Sequence, residues 1–264
     1  MIRSVANPRV AEWSRLLQKK GRDQQNRFLI EGIHLVQEAL KSGLSIDCIV
    51  YSGERGWPKE LERPHDVECV AVSENVMRKC TDTKTPQAVF AVLSKNEVTP
   101  DEKEMRELLN RRSGLFVVAD RVQDPGNLGT IIRSADAVAA DGVVIGKGSV
   151  DLFHPKTVRA TMGSLFHLPI WEAELTDLLE KIRENGAQIV ATTPQAKIAY
   201  DDLDWTKTSW VLIGNEGSGL SPEVRRLATV ETVIPMPGKA ESLNAGMAAT
   251  VLLYEALRQR RKRG

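Results

Sequence analysis

Residues 114–133 read Gly-Leu-Phe-Val-Val-Ala-Asp-Arg-Val-Gln-Asp-Pro-Gly-Asn-Leu-Gly-Thr-Ile-Ile-Arg, and their order of apolar and polar residues indicates the class of fold. Its apolar part, Leu115–Ala119, is typical of a strand that is buried on both faces of a parallel sheet. A polar turn with glycines follows and leads into a helix predicted over residues 127–140. A buried strand, a loop and a helix in this order predict a layered α/β structure.

The chain after this stretch repeats the same alternation. Strands are predicted over 142–146, 169–171, 188–192, 210–214 and 230–236, and helices over 154–166, 175–184, 222–228 and 243–258. Strands that alternate with helices favour a doubly wound, mostly parallel sheet. We therefore predict one α/β domain over residues 114–264.

The amino-terminal part of the chain has its own predicted elements. Short apolar runs predict strands at 28–30, 46–51, 67–72 and 87–93, and helices are predicted over 8–20, 32–41 and 75–80. We therefore expect a small α/β domain over residues 1–96. Residues 97–113 are highly charged and contain Pro100, which indicates a linker with a surface helix.

The composition disfavours several classes of protein. With 42% hydrophobic residues, 27% charged residues and a net charge of +1, the chain is typical of globular domains. No apolar run reaches the roughly 18 residues of a membrane span, and the first residues lack the apolar core of a secretion signal. Three widely spaced cysteines, Cys48, Cys69 and Cys80, predict neither disulfides nor a metal site. We expect a cytoplasmic protein without metal or membrane contacts.

The common sequence signals of nucleotide and hydrolase sites are missing. There is no G-x-G-x-x-G fingerprint, no G-x-x-x-x-G-K-[ST] phosphate loop and no G-x-S-x-G elbow. The four histidines are scattered and form no cluster with cysteines at metal-binding spacing. Hydride and phosphoryl transfer are therefore disfavoured, while a catalytic triad assembled by the fold stays open.

Three loops that follow predicted strands are rich in glycine, proline and polar residues: 120–129, 214–220 and 235–246. Ligands of open parallel sheets bind at this edge. Arg133 lies roughly 9 Å beyond Asn127 along the next helix, and an arginine that leans back toward the helix start suits an RNA phosphate. Each residue also has a structural explanation, since the glycines fit tight turns, Asn127 fits an N-cap and Arg133 fits a surface side chain.

Together, the three loops resemble the three signature motifs of the SpoU/TrmH group of SPOUT RNA methyltransferases. The motif N-x-G-x-x-x-R matches Asn127, Gly129 and Arg133, the glycine-rich second motif matches Ile213–Gly217, and the third matches Ile234–Met236 with Ser242–Asn244. The helix between the first two motifs is also similar, through Pro155, Lys156, Arg159, Ala160 and Gly163. All three motifs occur in the family's order.

The amino-terminal domain resembles the substrate-binding domain that often precedes this catalytic domain. Phe28–Gly32 and Asp82–Gln87 carry the likeness, and that domain is similar in fold to RNA-binding ribosomal proteins. The two resemblances cover nearly the whole chain. They imply a SPOUT domain with a deep trefoil knot, preceded by a ribosomal-protein-like α/β domain. Knots are rare exceptions among folds, and hydrophobic spacing does not reveal one.

The resemblance implies S-adenosyl-L-methionine as the cofactor and a ribose 2′-hydroxyl of RNA as the methyl acceptor. By motif position, the cofactor-binding residues are Gly214, Ile234, Met236 and Leu243, and the catalytic residues are Asn127, Arg133, Glu216, Ser242 and Asn244. Arginine stays protonated in proteins, so we expect Arg133 to stabilise the developing alkoxide instead of acting as a base. Glu216, Ser242 and Asn244 would orient it, and Glu216 is the less favoured candidate for the base.

RNA contacts are expected from basic residues of the first domain and of the middle helix. The candidates are Arg15, Lys19, Lys20, Arg22, Lys156 and Arg159. The resemblance also implies a homodimer whose active site is completed near the subunit interface. Apolar residues of the last helix form this interface or are buried within one subunit: Met247, Val251, Leu252 and Leu257.

The predicted function is therefore S-adenosyl-L-methionine-dependent 2′-O-methylation of RNA. The sizeable amino-terminal domain favours ribosomal RNA over transfer RNA as the substrate. A catalytically silent RNA-binding factor of the same fold is an alternative, which the intact polar residues of the motifs disfavour. A knotted methyltransferase that modifies a base atom is another, which the N-x-G-x-x-x-R motif disfavours.

Overall fold

The structure is a computed structural model that describes residues 1–111 and 113–262. Arg112 in the expected linker, and Arg263 and Gly264 in the expected second domain, lie outside the described residues. None of the helices in the described ranges combines the length and the apolar character that a membrane span requires.

Contacts divide the chain into two compact units. Unit 1 comprises Met1–Thr99 and Asp151–His167, and unit 2 comprises Pro100–Val150 and Leu168–Gly264. The hydrophobic pattern of Asp151–His167 carries no sign of this grouping, and we expected the segment within the second domain. Unit 1 is thus made from two stretches that are far apart in sequence.

The elements follow in chain order. The helices are α1 (Pro8–Arg15), α2 (Lys19–Gln25), α3 (Ile33–Lys41), α4 (Glu74–Cys80), α5 (Glu102–Leu109), α6 (Pro125–Ala137), α7 (Pro155–Thr161), α8 (Leu175–Glu184), α9 (Pro222–Arg225) and α10 (Ala245–Arg261). The strands are β1 (Arg27–Glu31), β2 (Ile46–Ser52), β3 (Cys69–Val72), β4 (Val89–Ser94), β5 (Leu115–Ala119), β6 (Gly142–Gly146), β7 (Ile170–Ala173), β8 (Gln188–Thr192), β9 (Ile198–Ala199), β10 (Ser209–Ile213) and β11 (Val230–Val233).

Unit 1 is built on a mixed sheet with the strand order β1-β4-β2-β3. Strand β4 pairs antiparallel with β1 and β2, whereas β2 and β3 run parallel. Val10 and Trp13 of α1 and Met77 of α4 belong to its buried apolar cluster. The segment that contains α7 packs on β1, where the rings of Phe28 and Phe153 lie 4.7 Å apart.

The single helix expected over residues 8–20 is in fact two helices, α1 and α2. Gly21 allows them to approach closely, because a Cβ atom at this position would lie 2.0 Å from the carbonyl oxygen of Arg15. The side chain of Arg22 is consequently buried, and its Nη2 lies 2.5 Å from a carboxylate oxygen of Asp151.

Unit 2 contains a sheet with the strand order β7-β6-β5-β10-β8-β11-β9. All of these neighbouring pairs are parallel. The mostly parallel sheet predicted from the sequence is therefore confirmed. Strands β5 and β10 are buried along their whole length and lie side by side, as their apolar runs predict. The loops after these strands consequently start from one edge of the sheet.

Helices α6 and α10 pack against each other in unit 2. A Cβ atom at Gly246 would lie 2.9 Å from the Cβ atom of Thr130, so a larger residue would push the two helices apart. Leu252 of α10 is fully buried inside unit 2, which contradicts its assignment to a subunit interface. Met247 is 57% exposed, whereas Val251 and Leu257 are half-buried. The trefoil knot stays a prediction.

Candidate active site

The carboxylate of Glu216 lies where the loop after β5 meets the loop after β10. Its Oε1 accepts hydrogen bonds from Nδ2 of Asn127, at 2.8 Å, and from the backbone amide of Asp124, at 3.0 Å. Its Oε2 accepts one from the backbone amide of Gln123, at 3.1 Å. One side chain of the second motif therefore binds the loop 120–129 through three donors, one of which belongs to Asn127 of the first motif.

Asn127 extends this arrangement to the third motif. Its Oδ1 accepts a hydrogen bond of 2.7 Å from Nδ2 of Asn244. Asn244 in turn caps α10, because its Oδ1 accepts hydrogen bonds from the backbone amides of Gly246 and Met247. The structure thus brings together Glu216, Asn127 and Asn244, which the sequence separates widely, in one hydrogen-bonded chain.

The N-cap of α6 is Asp124. The sequence had offered Asn127 for this position, as an alternative to a functional role. The Oδ1 of Asp124 accepts a 2.9 Å hydrogen bond from the backbone amide of Asn127, and Pro125 occupies the first turn. The side chain of Asn127 is therefore available to join the other two motifs.

The electrostatic setting of Glu216 favours its charged form. Burial raises the pKa of this carboxyl, but the hydrogen bonds from the Asn127 side chain and from the amides of Gln123 and Asp124 outweigh it, and the pKa lies below its ordinary value of 4.5. A carboxylate with a low pKa and three donors is a weak base at neutral pH. These bonds suit an orienting group better than a general base.

Two further side chains hold the loops, and neither was singled out from the sequence. Asp120 is buried at the end of β5, and its Oδ2 accepts a 2.6 Å hydrogen bond from the backbone amide of Ser221. Asn215 donates from Nδ2 to the carbonyl oxygen of Arg121 at 2.9 Å, while its Oδ1 accepts from the amides of Gly217 and Ser218. A polar residue directly after a buried strand is the signal that could have identified Asp120.

A cavity of about 600 Å³ lies beside these loops. Its lining includes all four residues expected to bind the cofactor, together with two expected catalytic residues: Gly214, Ile234, Met236, Leu243, Glu216 and Ser242. Thr192–Pro194, at the carboxyl end of β8, also line it and were missed in the sequence, since no motif marks them.

The residues of the cavity fit the nucleoside cofactor that the resemblance implies. The volume lies within the range of small-molecule sites. A Cβ atom at Gly214 would lie 2.3 Å from the carbonyl carbon of Gly219, so only glycine permits this close backbone packing. The hydroxyl of Thr192 is buried and has no hydrogen-bond partner within the described part of the chain. Apolar walls with an unused polar group suit a base and ribose.

Arg133 and Ser242 are the expected catalytic residues that do not join the hydrogen-bonded chain. Arg133 is exposed on α6, and within residues 1–111 and 113–262 it makes no hydrogen bond or ion pair. Ser242 is exposed and lines the cavity. Their assigned roles therefore depend on ligands and stay predictions.

The residues expected to bind RNA differ in their surroundings. Arg15, Lys19, Lys20 and Lys156 are exposed. Arg22 is only 1% exposed; it binds Asp151 and donates from Nη1 to the carbonyl oxygen of Leu16. This burial contradicts the prediction that Arg22 contacts RNA, because the guanidinium is used inside unit 1.

Arg159 also has partners inside unit 1. Its guanidinium lies 3.4 Å from the carboxylate of Glu31 and 3.3 Å from that of Asp82. It therefore joins the two stretches that carry the likeness to a substrate-binding domain.

Across the described residues, no group of histidine, cysteine, aspartate and glutamate is arranged to hold a metal ion.

Comparisons with known proteins extend these findings. Residues 114–254 match the SpoU rRNA Methylase family, and residues 7–91 match the MRM3-like substrate binding domain. The 23S rRNA (guanosine(2553)-2′-O)-methyltransferase RlmP of Bacillus subtilis is 38% identical, over 96% of this chain and 97% of its own. The 23S rRNA (uridine(2479)-2′-O)-methyltransferase of Streptomyces viridochromogenes is 36% identical, over 96% and 91%.

Solved structures are similar along nearly the whole chain. The SpoU methyltransferase AviRb from Streptomyces viridochromogenes, in complex with the cofactor AdoMet, has a TM-score of 0.84 and 33% identity over 97% of this chain and 98% of its own. An AdoMet-bound rRNA methyltransferase from Sinorhizobium meliloti has a TM-score of 0.83 and 36% identity, over 97% of both chains. The family and cofactor expected from the three motifs are confirmed, and the chain belongs to the SpoU rRNA methylase family.

Proposed function

We propose that this protein is an S-adenosyl-L-methionine-dependent 2′-O-ribose methyltransferase of ribosomal RNA. The observation that carries the proposal is the hydrogen-bonded chain through Glu216, Asn127 and Asn244, which joins three motif loops beside the cavity of about 600 Å³. The 23S rRNA ribose methyltransferases among the relatives support ribosomal RNA as the substrate.

The cavity residues would hold the cofactor in the orientation that transfer needs. When bound, S-adenosyl-L-methionine supplies an electrophilic methyl group on a positively charged sulfur. Ile234, Met236 and Leu243 would provide apolar walls, and Gly214 lets the backbone at Gly219 pack closely beside the cavity. A fixed geometry of this kind contributes several kcal/mol to catalysis.

Arg133 would act on the RNA. Its guanidinium binds the phosphate beside the target ribose and stabilises the negative charge that develops on the hydroxyl oxygen. Because arginine is too weak an acid to lose its proton and serve as a base in proteins, we assign the hydroxyl proton to the phosphate or to a water molecule and not to Arg133. Glu216 and Asn244 position the start of α6 through Asn127, and α6 carries Arg133.

A homodimer through α10 is part of the proposal. Met247 is 57% exposed and Tyr254 is 50% exposed. They are seven residues apart and therefore share one face of the helix. Light scattering after size-exclusion chromatography should give twice the mass of one chain for the wild type. The double variant Met247→Glu, Tyr254→Glu should give the mass of one chain. A monomeric wild type would refute this part.

The experiment that tests the function supplies the purified protein with labelled S-adenosyl-L-methionine and either 23S ribosomal RNA or transfer RNA, both transcribed in vitro. We expect label in 23S RNA, recovered after nuclease digestion as a 2′-O-methylated nucleoside. Label in transfer RNA alone would favour the transfer RNA alternative, and a base-methylated nucleoside would favour the base-modifying one. Cofactor binding without any transfer would identify a silent RNA-binding factor. We also propose a cytoplasmic location, which suits an enzyme similar to a 23S rRNA methyltransferase of Bacillus subtilis.

A further inference from the structure

Arg121 lies two residues beyond the end of the central strand β5 and has an unusual backbone conformation. Its φ angle is 55°, in the left-handed region that glycine, asparagine and aspartate adopt most readily. Two side-chain amides fix its carbonyl oxygen: Asn215 donates at 2.9 Å and Gln123 at 3.3 Å. The surrounding loops therefore keep an arginine where the backbone alone would favour glycine.

The loops that fix Arg121 are those of the candidate active site. Asn215 lines the cavity, and the backbone amides of Gln123 and Asp124 bind Glu216. Arg121 thus belongs to the connection between the cavity and the start of α6. Its carbonyl oxygen is hydrogen-bonded to a side chain from each of these two loops.

The stem of the Arg121 side chain is packed, whereas its guanidinium makes no hydrogen bond to residues 1–111 and 113–262. The side chain is 41% exposed, and its stem packs at Gly148, where a Cβ atom would lie 3.5 Å from Cγ of Arg121. Its Nε is buried and forms an ion pair with Oδ1 of Asp120 at 3.5 Å, without a hydrogen bond to the described residues, so a ligand would meet the exposed part of the guanidinium and not Nε. Asp120 also receives the 2.6 Å hydrogen bond from Ser221, so it does not depend on Arg121 alone.

We propose that Arg121 binds a phosphate of the RNA substrate at the edge of the active site. This inference rests on the proposed function, since it names a contact of that enzyme with RNA. The planar fork of arginine matches two phosphate oxygens. Because the stem and backbone of Arg121 are already fixed in the free protein, binding the phosphate costs less conformational entropy.

The test measures the affinity for 23S ribosomal RNA transcribed in vitro at increasing KCl concentrations. Each phosphate contact adds about 0.7–0.9 to the slope of log affinity against log salt. We expect Arg121→Gln to bind the RNA about tenfold more weakly at low salt. The steepness of its slope should fall by about 0.7–0.9, the contribution of one phosphate contact. Arg121→Lys should keep the slope because it keeps the charge. The matched control Arg226→Gln removes a 75% exposed arginine that pairs with Glu223, and it should change neither quantity.

Arg121→Gly separates RNA binding from a purely structural role. Glycine accepts the left-handed conformation, so this variant should keep the melting temperature and the affinity for S-adenosyl-L-methionine while it loses the same part of the salt slope. An unchanged slope in both Arg121→Gln and Arg121→Gly overturns the inference, as does an equal loss of cofactor and RNA affinity. The slope does not require methyl transfer, so RNA binding without transfer counts against the proposed function alone. A wild type that does not bind 23S RNA counts against both.

Discussion

Replacing Asn127 with aspartate tests the hydrogen-bonded chain with almost no change in shape. The new side chain can still accept the hydrogen bond from Asn244. It cannot donate to Glu216, and it places a second carboxylate oxygen where Nδ2 of Asn127 now lies, 2.8 Å from Oε1. The variant therefore replaces an attraction with a repulsion at one point.

The size of the effect follows from this geometry. Two unit charges 2.8 Å apart repel by about 1.5 kcal/mol at the dielectric constant of water, which suits an exposed residue such as Glu216. The lost hydrogen bond to a charged acceptor contributes about 1.5–3 kcal/mol more. The sum, about 3–4.5 kcal/mol, is an upper bound on the interaction free energy that the variant loses, because the two loops can move apart and relieve the repulsion. We expect Asn127→Asp to weaken the binding of S-adenosyl-L-methionine by at least about tenfold, or about 1.4 kcal/mol.

Calorimetric titration of the cofactor at pH 7.5 and pH 5.5 measures this loss. The pKa of Glu216 in the wild type lies below 4.5, so its carboxylate is ionised at both pH values and the wild type gives a constant reference. In the variant, two adjacent carboxylates raise the pKa of one of them. Protonation as the pH falls restores a hydrogen-bond donor, so the defect should shrink at pH 5.5.

Asn185→Asp is the matched control, since it adds the same charge to unit 2 at the exposed end of α8. It should leave cofactor affinity unchanged. A cofactor affinity of Asn127→Asp within twofold of the wild type at pH 7.5 would refute the role of the chain. If Asn127→Asp loses the same cofactor affinity at both pH values, repulsion between the carboxylates at positions 127 and 216 is not the cause of the loss.

Three further changes test other parts of the structure. Arg133→Ala should lower methyl transfer to RNA by at least about a hundredfold while calorimetry shows an unchanged cofactor affinity, and normal transfer by this variant would exclude the assigned role. Gly214→Ala should weaken cofactor binding and lower the melting temperature, because its Cβ atom would lie 2.3 Å from the carbonyl carbon of Gly219; wild-type values of both would contradict the packing argument. Arg22→Met should destabilise unit 1 by about 3–5 kcal/mol, since it leaves a buried carboxylate unpaired. Hydrogen exchange of β1 and β4 measures this loss, and the control Arg9→Met, which breaks an exposed ion pair, should cost at most about 1 kcal/mol.

Much of the fold could be predicted because it depends on patterns that repeat along the chain. The apolar runs of β5 and β10 indicate a buried parallel sheet, and the structure places both strands at its centre. Helix ends were harder, since single contacts decide them. The break between α1 and α2 depends on the approach of Gly21 to Arg15, and α7 ends early at Met162, which has a φ angle of 53°. No periodicity encodes such contacts.

The candidate site could be predicted only where motifs mark it. Asn127, Glu216 and Asn244 came from the three motifs, and the structure joins them by hydrogen bonds. Thr192 has an ordinary strand sequence around it, and its place in the cavity depends on the strand order. The prediction for Arg22 was wrong because a basic sequence does not tell which of its side chains are buried.

The discontinuous make-up of unit 1 has a practical consequence for swapping specificity between related enzymes. Its ion pair between Arg22 and Asp151 joins the two stretches of chain inside one hydrophobic unit. A chimera that takes only residues 1–99 from a related enzyme would bring in the residue at position 22 without its natural partner at position 151. The buried ion pair would then form with a mismatched side chain or be lost. A designer who wants to graft a new recognition module must therefore exchange residues 151–167 in the same step.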